Sequence, residues 1–105
     1  MADEPKLPIR IVRSAAKAIA EAADWWQVNR TKAPEAFMED LDSALHLIAL
    51  QPNIGAKAKN MKLVDVRRIH LSRVHYYLYY RIKHTSSSME ILAFWHSSRG
   101  SEPNL

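Results

Sequence analysis

The second half of the chain holds three runs dense in β-branched and aromatic residues: VRRIHL at 66–71, VHYYLYYRIK at 74–83 and MEILAFWH at 89–96. Such side chains suit a pleated, half-buried surface. The stretches SRV and HTSSS between them are too short for a crossover, so consecutive runs must pair as antiparallel hairpins. Strand alternation in the middle run puts Val74, Tyr76, Leu78, Tyr80 and Ile82 on one face, and His75, Tyr77, Tyr79, Arg81 and Lys83 on the other. The apolar set is expected to face the helices. In ILAFW, Ile91, Ala93 and Trp95 oppose Leu92 and Phe94, which predicts a central strand covered on both sides.

What precedes this meander must supply its cover. PIRIVR at 8–13 alternates apolar and basic residues and reads as a short strand, with Ser14 as the expected N-cap of the following helix. The alanine-rich stretch from about 15 to 29 carries Ala15, Ala18, Ile19, Ala22 and Trp26 at helical spacing. Trp26 is expected in the core and Trp25 on an exposed binding surface. Pro34 can occupy the first turn of a second helix, whose stripe is Phe37, Met38, Leu41, Ala44, Leu45 and Ile48 and whose stop is marked by Pro52. Residues 51–61 read as a connecting loop, and SSRGSEPNL as a frayed tail. The expectation is an α+β fold of order β-α-α-β-β-β: one domain over 1–105, a helical hairpin packed on a mainly antiparallel sheet. Two helices cover one sheet face, which leaves apolar surface on the other for a partner chain.

Charge narrows the class of partner. The net charge is +4, yet residues 57–84 alone hold eight basic groups, one acidic group and three histidines. Such a segment favours an anionic partner, either nucleic acid or an acidic protein surface. With no cysteine there is neither a disulfide framework nor a thiolate metal site, and two glycines cannot build a phosphate-cradling loop. The five histidines lack zinc-ligand spacing, so no metal and no cofactor is expected. MADEPKLP lacks the features of a secretory leader, and no apolar run reaches the length of a membrane span. A soluble, cytoplasmic protein without membrane contact is the expectation.

Several motifs occur in fixed order: Ser14-Ala15 after the first strand, Ala23-Asp24, Leu47 to Leu50 with Pro52 and Gly55, then VRRI, YYLYYRI and ILAFWHSSRG. In that order they resemble the RelE/ParE toxin superfamily of type II toxin–antitoxin systems, over roughly residues 9–100. The resemblance implies a cytosolic toxin and a cognate antitoxin that wraps it as a hetero-oligomer. It leaves two activities open. ParE-like members inhibit DNA gyrase by binding, with no covalent chemistry, whereas RelE-like members cleave mRNA on the ribosome.

RNA cleavage needs a base for the 2′-OH, an acid for the leaving oxygen and cations for the phosphate. The resemblance offers Arg67 or Arg68, Arg81 and His96 for those roles; a nuclease would use Arg67, Arg81 and His96. The alternative reading of Arg68 and Arg81 is structural, in pairs with acids such as Asp24 or Glu39. Tyr77 and Tyr79 could stack bases or contact a partner. The chain lacks the C-terminal tyrosine and dense basic pairs common in the ribosomal nucleases, and this favours the ParE-like alternative, a binding protein rather than an enzyme. Its expected partner-binding residues are Trp25, Arg68, Tyr77, Tyr79, Arg81 and Arg99. SSRG in place of the usual denser basic ending leaves the tail's role open.

Overall fold

In the computed structural model residues 7–105 are described, so the reading of a missing leader at the extreme N-terminus lies mostly outside the described residues. A short strand β1 (Ile9–Ile11) leads directly into helix α1 (Arg13–Asn29), followed by helix α2 (Ala36–Leu50). Strands β2 (Ala56–Lys57), β3 (Arg67–Leu71), β4 (Tyr76–Lys83) and β5 (Ser88–His96) complete one sheet of order β1-β5-β4-β3-β2. The pair β1–β5 is parallel and the others are antiparallel. This is the expected α+β architecture with one strand more than the sequence disclosed. Strand β2 is only two residues long, too short to show an alternation, and it lies inside the stretch 51–61 that reads as loop.

The helical stripe is buried where its spacing placed it. Ala15, Ala22 and Trp26 of α1, and Phe37, Leu41, Ala44 and Ile48 of α2, pack with Leu71, Val74, Leu78, Tyr80, Met89, Ile91 and Phe94 of the sheet. Phe37 sits among aromatic rings, its centroid 5.7 Å from Phe94, 6.3 Å from Tyr76 and 6.5 Å from Trp26. Three local expectations change. The N-cap of α1 is Val12, with no side-chain cap bond, because the chain turns from strand to helix one residue earlier than Ser14 requires. Pro34 lies in the turn before α2, whose first helical residue is Ala36. Met38 is 45% exposed, on the outer side of α2.

The second sheet face also departs from expectation. Leu92 is an extra residue in β5: Tyr79 pairs with Ala93 and Tyr80 with Ile91. A bulge reverses the side-chain parity beyond it. Ile91 and Phe94 therefore join Met89 on the helix side, while Leu92, Ala93 and Trp95 face the other way with Val66 and Tyr79. This second cluster is not left bare. Met61 and Leu63 from the segment between β2 and β3, together with Leu105, pack against it. The tail expected to fray is anchored. Trp95 Nε1 donates to the Ser101 carbonyl at 2.7 Å, Leu63 N donates to the Leu105 carbonyl at 2.9 Å, and Pro103 is buried.

Candidate functional site: a basic and aromatic sheet groove

Cross-strand register assembles the site. Arg68, Tyr79 and Ala93 form one row across β3, β4 and β5, and His70, Tyr77 and Trp95 form the next. Side chains directly opposite each other share a face, so both rows project away from the helices. The turn after β5 adds Ser97, Arg99, Gly100 and Ser101, and Asn60 and Glu102 close a groove of about 550 Å³ that also reaches His96.

Its cations are held on rings. The Arg68 guanidinium carbon lies 4.2 Å from the Tyr77 ring centre, and that of Arg99 lies 3.5 Å from the Trp95 ring centre. Each such contact contributes about 0.5–1 kcal/mol at an exposed position, so both guanidiniums are oriented while remaining charged. Arg68 also donates to the Tyr79 hydroxyl at 3.2 Å, and this bond, against the cost of burial, pushes its already high pKa further up. Tyr79 itself is 1% exposed. Its ring is therefore packed beneath the groove that it helps to line, and its hydroxyl fixes Arg68 there. Tyr77 is half-buried, between Arg68 and the His70 ring at 4.7 Å.

His96 ends β5 opposite Tyr76, whose ring it meets edge-on at 4.9 Å. Its Nδ1 accepts from the Ser98 backbone N–H at 3.1 Å and lies 2.6 Å from the Ser98 hydroxyl. A backbone N–H can only donate, which assigns the ring proton to Nε2.

The remaining sequence-derived residues lie elsewhere. Arg67 donates to the carbonyls of Gly55 at 2.7 Å and Asn53 at 3.2 Å. Arg81 is paired through Nε with Glu90 at 2.9 Å, and the Glu90 carboxylate is further approached by Lys83 at 4.0 Å. Neither Arg68 nor Arg81 meets Asp24 or Glu39; Arg73 at the β3–β4 turn takes Glu39 at 3.2 Å and Asp40 at 2.6 Å instead. Arg67 and Arg81 line a separate cavity of about 240 Å³ with Lys57, Asp65 and His84. His96 lies opposite Tyr76, and Arg81 is five residues further along β4, about 16 Å at ~3.3 Å per residue. Arg67, Arg81 and His96 are thus not brought together, whereas Arg68, the alternative to Arg67, shares the sheet groove with His96. Trp25 is 50% exposed and lies in yet another cleft, under Arg30.

Sequence reasoning missed Trp95, His70 and Ser98. Trp95 was readable only as an apolar position of β5; its neighbour Arg99, four residues on, was the one available hint that the two would stack.

A family model described as "ParE toxin of type II toxin-antitoxin system, parDE" matches residues 9–100. No curated relative matches the chain. A solved structure described as "Chromosomal ParDE TA system from P. aeruginosa" is similar with a TM-score of 0.66 and 22% identity, over 87% of this chain and 96% of that one. At that identity the likeness is one of fold, and it agrees with two helices packed on a five-stranded, mainly antiparallel sheet. With nearly its whole length matched by the family model, the chain belongs to the ParE toxin family of type II toxin–antitoxin systems.

Proposed function

We propose that this chain is a cytoplasmic toxin that acts by binding, inhibiting DNA gyrase without covalent chemistry, and that a cognate antitoxin neutralises it. The observation that carries the choice of binding over RNA cleavage is the separation of Arg67 and Arg81 from His96. A general base or acid must reach the reacting phosphate together with the cations that stabilise it. Here Arg67 and Arg81 are engaged by backbone carbonyls and by Glu90 in one cavity, whereas His96 lines the groove with Arg68 and Arg99, whose guanidiniums lie on the Tyr77 and Trp95 rings, so only one of the three expected residues stands there. The groove supports contact with an acidic antitoxin segment, because Arg68 and Arg99 are charged, oriented and accessible beside Tyr77 and Trp95.

Induced expression of the chain in a bacterium tests this, with plasmid supercoiling and mRNA 5′ ends followed in the same culture. Loss of negative supercoiling or trapped cleaved DNA, with mRNA ends unchanged, is expected. New mRNA ends inside translated codons, abolished by His96→Ala, would replace the reading with the ribosome-dependent nuclease. Binding of the co-expressed antitoxin is expected to weaken by about tenfold in the double variant Arg68→Ala/Arg99→Ala, through loss of two oriented cations.

A further inference from the structure

A third cleft opens where the end of α1 meets the β3–β4 turn and the last residue of β5. It has a volume of about 340 Å³ and is lined by Trp25, Trp26, Val74 and Tyr76, with Arg30, Arg73, His75 and His96 around them. That size suits one or two side chains. Its floor is fixed: Trp26 is 8% and Val74 2% exposed, and the Trp26 indole N–H donates to the Ala33 carbonyl at 2.7 Å. Its wall is not covered, since Trp25 keeps half its surface in solvent. Trp, Tyr and Arg are the residues most concentrated at the energetic centres of protein interfaces.

The charged side chains that line the cleft are basic. Among the described residues no Asp or Glu lines it. Arg73 is already paired with Asp40 and Glu39, so it contributes its stem. Arg30 is different: its guanidinium carbon lies 5.2 Å from the Trp25 ring centre and 5.9 Å from that of Trp26, and among the described residues it has no carboxylate partner. Arg30 is the C-cap of α1, where it also offsets the negative end of the helix dipole that would otherwise repel an anion. His96 adds an Nε2–H donor, because Nδ1 is occupied by Ser98.

We propose that this cleft is a docking site for a protein segment in which an aromatic or large aliphatic side chain is flanked by carboxylates. The apolar side chain packs on Trp25, Trp26 and Tyr76, and a flanking carboxylate meets Arg30. The site is separate from the sheet groove, apart from His96 at their shared border, and the inference holds whichever enzyme the toxin inhibits.

The probe is the capped tripeptide Ac-Glu-Phe-Asp-NH2, titrated into the full chain and followed by the three indole N–H resonances. Saturable shifts of Trp25 and Trp26 are expected with Trp95, bonded to Ser101, unmoved. The neutral peptide Ac-Gln-Phe-Asn-NH2 is expected to bind about tenfold more weakly, as is the acidic peptide to Arg30→Ala, with Arg30→Lys in between. The unmoved Trp95 resonance also reports that each variant is folded. Equal binding of the neutral peptide, shifts centred on Trp95, or no saturable shift would overturn the proposal. So would a short oligothymidylate that moves the Trp25 and Trp26 resonances more strongly than the acidic peptide does.

Discussion

Tyr80 shows how a motif that reads as a turn becomes a structural joint. Its hydroxyl donates to the Pro52 carbonyl at 2.8 Å and accepts from the Gly55 N–H at 2.9 Å, so Pro-x-x-Gly is the backbone seat of a buried phenol. A Cβ on Gly55 would lie 2.5 Å from that hydroxyl and 2.8 Å from the Arg68 carbonyl. Gly55→Ala is therefore expected to cost about 1–3 kcal/mol by overpacking. Tyr80→Phe should cost a similar ~1–3 kcal/mol, by leaving the buried Gly55 N–H without an acceptor. Urea unfolding checks both, and unchanged midpoints would contradict the joint. Burial, partly opposed by the Gly55 bond, pushes the Tyr80 pKa above its ordinary 10.0. The fold thus favours the neutral phenol. Its contribution is fully present below pH 10 and is lost as pH rises through the raised folded value, while the unfolded chain releases its proton first. The alkaline fall in melting temperature should be shallower in Tyr80→Phe; a fall as steep as the parent's would assign it to another group such as Tyr76, raised by burial alone. Pro52 and Gly55 were legible in sequence, but the residue they serve was not, because it lies 25 positions from Gly55.

At the scale of elements, the helices and the three long strands were readable because each repeats its period several times. The bulge at Leu92 was not, since it adds one residue to a run that is apolar on both faces and so leaves no break in pattern. For the same reason ILAFW was divided wrongly between the faces. The tail was misread because SSRGSEPNL has no period at all; what orders it is tertiary, through Trp95, Leu63 and the second apolar cluster. Of the site, Tyr77 and Tyr79 were legible from strand alternation and Arg68 and Arg99 from the resemblance, while Trp95 was not. The removal of Arg67 and Arg81 from it was not, because that depends on carbonyls at 53 and 55 and on Glu90 across the strand pair. The tail supplies a test at this scale. Deleting residues 101–105 should uncover Val66, Leu92, Ala93 and Trp95, lower the melting temperature by several degrees, shift tryptophan emission to the red and raise binding of a hydrophobic dye. Unchanged emission and dye binding would mean that the second face is covered without the tail.

For the molecule as a whole, the electrostatic question is which charges remain for a partner once internal pairs are counted. Within the basic segment 57–84, Arg73 is bound to α2 by Asp40 and Glu39, and Arg81 with Lys83 shares Glu90, while Arg67 keeps its charge but is directed inward onto the carbonyls of Asn53 and Gly55. Lys59 and Lys62 stay exposed on either side of Asn60, which lines the groove with Arg68 and Arg99, while Lys57 is exposed at the separate cavity of Arg67 and Arg81. Lys59, Lys62, Arg68 and Arg99 therefore form a run of cations, unpaired among the described residues, at the groove where the antitoxin is proposed to bind. Charges arranged this way govern the encounter more than the final complex, because exposed lysines are solvated and lose little on dissociation. The association rate with the antitoxin should fall about tenfold between ~0.05 and ~0.5 M salt, as screening shortens the reach of the field, while the dissociation rate changes little. Lys59→Glu/Lys62→Glu should lower the association rate at low salt and flatten its salt dependence, leaving dissociation close to that of the parent. Stopped-flow mixing measures both rates. An effect of these two lysines confined to dissociation would mean that they are packed within the complex, and that steering comes from elsewhere on the surface.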